Sequence, residues 1–309
     1  MRKHSSQSNT ISYQDDKHTI IIAAENHHFE NNSASVNNST HTSPGNLTLT
    51  TSAAFTSCVW RKCEAQNGGG IYLIAGSDVS LTVTKGEFYS CRANPYRGGG
   101  IYVQGIGKVC IKESFFHACI ADAANDAGGG GIQLFNVQEP PNFAETSFIS
   151  CESGNDGGGL GIWDSPFYQE TCVLECRFIA CIGNNPSSSG GGGMIVWSSN
   201  AAIGCSACIF VSCYGAQIGG GICYHTVSSS SFTDTALSSF CFFKENSSPC
   251  GNDAYFEGWI PMPPFLYCFS TTQDSHINPS GYEDWLPLTT VSLLLSQSLS
   301  PLHFSIPLK

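Results

Sequence analysis

Apolar and polar positions alternate in short runs along this chain, and the runs recur. After each run of glycines comes an apolar stretch, at 71–73, 101–103, 132–134, 194–197 and 222–224. A second such piece lies in mid-repeat, at 79–84, 109–112 and 171–175, and a third carries an aromatic residue with a cysteine three places later. Short period-two pieces bounded by Gly, Asn, Asp and Ser predict strands. No unit holds ten residues free of Gly, Pro or β-branched runs with a 3.6 period, which excludes helical repeats.

The third piece sets the frame. Phe-x-x-Cys stands at Phe55/Cys58, Phe88/Cys91, Phe116/Cys119, Phe148/Cys151, Phe178/Cys181 and Phe210/Cys213, and Phe243/Asn246 keeps the spacing with Asn in place of Cys. Each copy is answered by a glycine run and an aliphatic residue, and the copies repeat about every 31 residues, which is the signature of stacked repeats. Three short strands per unit predict an all-β chain: a right-handed parallel β-helix, or solenoid, of about seven to nine coils with irregular termini. A propeller blade would need about 40 residues and four strands. Coils stack at about 4.8 Å, so the seven phenylalanines are expected to form one buried column and the Cys/Asn positions a ladder. The glycine run marks a corner that needs positive φ or close backbone approach.

The pattern divides the chain into a disordered polar segment at 1–18, a repeat domain at 19–257, and a C-terminal cap and irregular tail at 258–309. Residues 19–24 (TIIIAA) are too few to span a membrane, and Phe29 opens a degenerate copy of the frame. Met1 to Asp16 lacks the apolar stretch of a signal peptide, and the start of the reading frame stays open at this point. Length varies between the cysteine and the glycines and after the first strand, so those insertions are expected to project as loops. The segment at 259–269 (WIPMPPFLYCF) fits an end cap over the last coil's open strands. The most apolar later run, 286–295, is broken by Thr and Ser, so no transmembrane helix is expected in this chain.

Composition narrows the partners. The chain is 41% hydrophobic and only 12% charged, against about 25% in ordinary domains. Its net charge of −11 disfavours a phosphate-backbone partner, so no nucleic acid is expected. The sixteen cysteines would point to an oxidising compartment, but most sit at repeat positions, and reduced cysteine is among the most buried side chains. In-register parallel neighbours also keep their Cβ atoms near the coil spacing rather than at the ~3.8 Å of a disulfide. Mostly reduced, buried thiols are therefore expected.

The order Phe-x-x-Asn/Cys, then Gly-Gly-Gly-Ile, resembles the repeat pair of the polymorphic outer-membrane protein family, autotransporter adhesins with a right-handed β-helix passenger, and more broadly pectin-lyase-like surface proteins. The resemblance covers 29–257, with Cys replacing Asn in six of the seven core units and without the family's C-terminal membrane barrel. It implies a noncatalytic extracellular or cell-surface protein whose loops, set on a rigid rod, bind a cell-surface glycan or protein. The alternative is a polysaccharide lyase or hydrolase, by fold analogy alone.

Candidate chemistry adds no catalytic, cofactor or metal assignment at this level. Asp122, Asp126, Asp156 and Asp164 sit in loops of different units and are expected to be solvated, whereas glycan cleavage needs paired carboxylates or a metal-bound acid beside a cation. Gly158-Gly-Leu-Gly-Ile-Trp-Asp164 approaches a calcium nonapeptide, with Trp163 where the ligand Asp should stand. Cys205-Ser-Ala-Cys208 and the looser pair Cys172/Cys176 raise zinc or redox chemistry. Yet Cys176, Cys208 and Cys241 each lie two residues before their phenylalanine, and Cys110 and Cys172 six before, which favours structural columns. His117 and His225 stand isolated. Asn31, Asn37, Asn38, Asn46 and Asn246 each open an Asn-x-Ser/Thr triplet.

Overall fold

The structure is a computed structural model. It describes residues 52–122, 128–165, 168–184, 190–198, 202–226, 238–239, 241–249 and 251–257. To these it adds the backbone strands Ile20–Ala23, His28–Phe29, Ala34–Asn37, Ser39–Thr42, Leu47–Leu49, Phe265–Leu266, Phe269–Ser270 and Ile277–Pro279. The polar segment 1–18, most of the cap and tail, Asp126, and the triplets at Asn31, Asn38 and Asn46 lie outside the described residues.

The chain folds as an all-β parallel solenoid. One turn shows the construction: Ile101–Gln104, Lys108–Lys112, Phe115–His117 and Ile120–Ala121 follow one another around the coil. Each pairs in parallel with its counterpart one turn on. The four strand positions build sheets of ten, nine, ten and six strands, so six turns carry all four sides. The three expected strands are the first three; the fourth, just past the cysteine, is two residues long, too short to show a period. Backbone pairing continues beyond 257, where Phe265–Leu266, Phe269–Ser270 and Ile277–Pro279 join the second, third and first sheets.

Inward side chains form columns. In the third sheet the rings of Trp60, Phe88, Phe116, Phe148, Phe178, Phe210 and Phe243 stack with successive centroids 4.3, 4.5, 5.1, 4.9, 4.7 and 5.1 Å apart. The column expected from the sequence therefore exists, with one correction. Register pairs Phe88 with Trp60, while Phe55 lies one strand earlier, opposite Val83. Phe55 meets Trp60 edge-on at 5.4 Å. Phe55-x-x-Cys58 has the right spacing, but Trp60-x-x-Cys63 has it too, and only strand pairing separates them. The cysteine ladder accordingly begins at Cys63, and Cys58 belongs to the column of Ser114, Thr146, Cys176, Cys208 and Cys241.

Two corners of each turn are made without glycine. Lys85, Glu113, Glu145, Glu175 and Ala207 before the third strand, and Ser90, Ala118, Ser150, Ala180 and Ser212 after it, hold φ between 48 and 55°. Left-handed backbone costs about 1–2 kcal/mol for such residues. Bonds to the next turn offset it: Ser90 N–H donates to His117 O at 2.8 Å and Ala118 N–H to Ile149 O at 2.9 Å. The third corner does need its glycines, as one turn shows. Gly98 has φ +69°, a Cβ on Gly99 would lie 2.3 Å from Gly130 O, and one on Gly100 would lie 2.9 Å from the Phe116 ring. The ring stack and the glycine run are thus one packing unit, which is why they recur together.

Candidate functional site

The ladder residue follows a left-handed corner and points inward. Cys91, Cys119, Cys151, Cys181 and Cys213 are fully buried. Their thiols donate to the carbonyl of the ring residue one turn back: Cys91 to Trp60, Cys119 to Phe88, Cys151 to Phe116, Cys181 to Phe148 and Cys213 to Phe178, at 3.4–3.7 Å. Asn246 ends this row and keeps the thiol's bond to the ring residue's carbonyl in amide form. Its Nδ2 donates to Phe210 O at 3.1 Å, and its Oδ1 accepts from Cys213 N–H at 3.0 Å. Cysteine and asparagine interchange in the frame because both donate to the carbonyl of the ring residue one turn back.

No described ladder cysteine is in a disulfide. Burial pushes the Cys119, Cys151 and Cys213 thiols well above the ordinary cysteine range, so they stay protonated at neutral pH. Asn246 is 2% exposed and also donates to Asp253 Oδ1 at 3.0 Å, so its triplet is closed to a glycosylating enzyme in the folded protein.

The loop acids do not converge. Asp122 is ion-paired with Arg92, Asp164 is an exposed left-handed corner residue with φ 50°, and Asp156 is fully buried instead of solvated. Gln133 and Ile195, at outward-facing positions of the first sheet, are buried as well. Trp163 does not approach a cation loop; it points outward from the first sheet and stacks on Trp197 at 4.7 Å. His117 faces out of the third sheet beside Phe115, with ring centroids 6.0 Å apart. The side chain of His225 lies outside the described residues.

The cysteines two residues before the ring column close the corner into the third strand. Cys176, Cys208 and Cys241 are buried. The Cys208 thiol donates to Ser206 O at 3.4 Å, as the Ser114 hydroxyl donates to Lys112 O at 2.7 Å and the Thr146 hydroxyl to Ala144 O at 3.0 Å. Cys205 joins them from the second sheet, and the sulfurs of Cys205, Cys208 and Cys241 all lie within 4.8 Å of one another. Spacing found the Cys205/Cys208 pair and the column of Cys176, Cys208 and Cys241; that Cys205 meets Cys241 across the corner is set by the fold.

Outer faces complete the picture. Outward from the third sheet, Tyr89, His117, Ile149, Ile179 and Val211 stand in register over five turns, all half-buried, with exposed Arg61 before them and Lys244 after. Arg61 lies over the Tyr89 ring at 4.6 Å.

These features define a class of protein, an all-β parallel solenoid with a stacked aromatic core and a thiol ladder. No protein family, curated protein or solved structure matches the chain. Among the described residues no helix is long and apolar enough to cross a membrane.

Proposed function

We propose that this solenoid is a noncatalytic binding rod, displayed extracellularly or on a cell surface, that engages a glycan or protein ligand along its length. The observation that carries the reading is the in-register outer row from Tyr89 to Val211. An in-register row of half-exposed aromatic and aliphatic side chains offers a partner a surface to pack against, and side chains repeating every ~4.8 Å match an extended ligand better than a compact one. The repeat's resemblance to the polymorphic outer-membrane proteins and pectin-lyase-like surface proteins supports an adhesive role in the same direction.

The test is binding of the intact protein to cell surfaces, immobilised glycans and extracellular proteins, with Ile149→Lys and Ile179→Lys as variants. Both side chains point away from the core, so unfolding midpoints should hold while binding drops at least about tenfold, the effect of ~1.4 kcal/mol. Failure to bind any tested surface, or binding unchanged in both variants, refutes the reading.

A further inference from the structure

Near the C-terminal end of the described core, sulfur and oxygen replace carbon in two adjacent turns. The inward column of the second sheet runs Phe55, Val83, Ile111, Phe143 and Val173, and then Cys205. The matching column of the first sheet runs Leu73, Val103, Leu134, Ile162 and Val196, and then Tyr224. The two changes fall in successive turns and meet: Cys205 Sγ is 3.7 Å from the Tyr224 hydroxyl and 3.7 Å from Cys241 Sγ. Cys208 Sγ lies within 4.8 Å of both other sulfurs and donates to Val173 O and Ser206 O at 3.4 Å. Corner closure does not require these sulfurs, since Ser114 and Thr146 do that job with hydroxyls. Nor does core filling require Cys205, since Val173 fills the same position one turn earlier.

We propose that Cys205, Cys208 and Cys241 bind one thiophilic d10 metal ion, Zn2+ or Cu(I). A metal–sulfur bond of about 2.3 Å puts tetrahedral ligand sulfurs about 3.8 Å apart and trigonal ones about 4.0 Å apart. The observed 3.7 Å between Cys205 and Cys241, with Cys208 within 4.8 Å of both, needs only small side-chain adjustments to reach either geometry. Three thiolates are the soft donor set that selects these ions over Mg2+ or Ca2+. The Tyr224 hydroxyl is the nearby oxygen that distinguishes the two ions, since Zn2+ takes a fourth ligand and Cu(I) is satisfied by three. On binding, each thiol gives its proton to water as its sulfur–metal bond forms. All three residues are buried, so the ion enters when the last turns open locally, and the site ties the second and third sheets together across two turns.

The test is anaerobic titration of the intact, reduced, chelator-treated protein with Zn2+ and separately with Cu(I), in competition with a chromophoric chelator. Co2+ serves as a spectroscopic probe of thiolate ligation. One equivalent of either ion, and a sulfur-to-cobalt charge-transfer band, are expected. Cys205→Val installs the side chain of Val173, and Cys241→Ser installs that of Ser114, so both variants keep a residue the column already accepts. Each should weaken binding by more than about 100-fold, beyond the loss typical of outer-shell changes, while Cys151→Asn on the ladder leaves it intact. No binding by the reduced protein, or binding undiminished in either site variant, overturns the proposal.

Discussion

Phe148→Ala measures what the ring stack contributes. Phe148 is fully buried, with the Phe116 ring at 5.1 Å on one side and the Phe178 ring at 4.9 Å on the other. The slot cannot collapse along the axis, because backbone bonds between turns fix the spacing. Buried Phe→Ala changes cost about 3–5 kcal/mol, and each aromatic pair adds about 0.5–1.5 kcal/mol beyond area. Phe143 supplies the control within the same turn: it is equally buried but stands between Ile111 and Val173. Phe148→Ala should therefore cost about 1–3 kcal/mol more than Phe143→Ala, the worth of two ring pairs. Urea unfolding followed by tryptophan fluorescence gives the difference. Hydrogen exchange resolved by turn guards against uncooperative unfolding, to which repeat arrays are prone. Equal costs at the two positions would refute stacking as a separate contribution and leave only hydrophobic burial.

Other outcomes follow from the ladder and the corners. Cys151→Asn should stay within about 1 kcal/mol of the parent, because the amide repeats the bonding of Asn246, whereas Cys151→Val removes a buried donor and should cost about 1–3 kcal/mol; thermal melts under reducing conditions that rank Val above Asn contradict the hydrogen-bonded ladder. Burial raises the Cys119, Cys151 and Cys213 thiols in the folded state, so their contribution is intact below the ordinary thiol value near 8.5 and declines as pH rises past it. Three thiols that ionise only on unfolding lower stability by about 4 kcal/mol per pH unit in that range, and an unfolding midpoint flat from pH 8 to 10 in anaerobic urea titrations contradicts it. Gly99→Ala places a Cβ 2.3 Å from Gly130 O and 2.5 Å from Ile120 N, backbone on both sides; a soluble variant with an unchanged melting temperature would show that the third corner is not as tight as described.

The sequence by itself determined the architecture, because a solenoid writes each core column as a periodic residue type: the ring, the ladder cysteine and the glycines sit where equivalent backbone positions stack. It also gave reason to expect free thiols along the ladder, since in-register parallel spacing disfavours the disulfide. It left the first turn ambiguous, because Phe55-x-x-Cys58 and Trp60-x-x-Cys63 satisfy the same spacing and only pairing to Phe88 chooses between them. The glycine-free corners were invisible for a different reason: Ser, Lys, Glu and Ala have no common preference for left-handed backbone, and their conformation comes from bonds to the next turn. The layer of Cys205, Cys208, Cys241 and Tyr224 was likewise decided by tertiary structure. The repeat spacing already put Cys241 above Cys208 in one column, but Cys205 and Tyr224 reach them from other strands of the coil, and spacing along the chain does not say which inward side chains meet across the core.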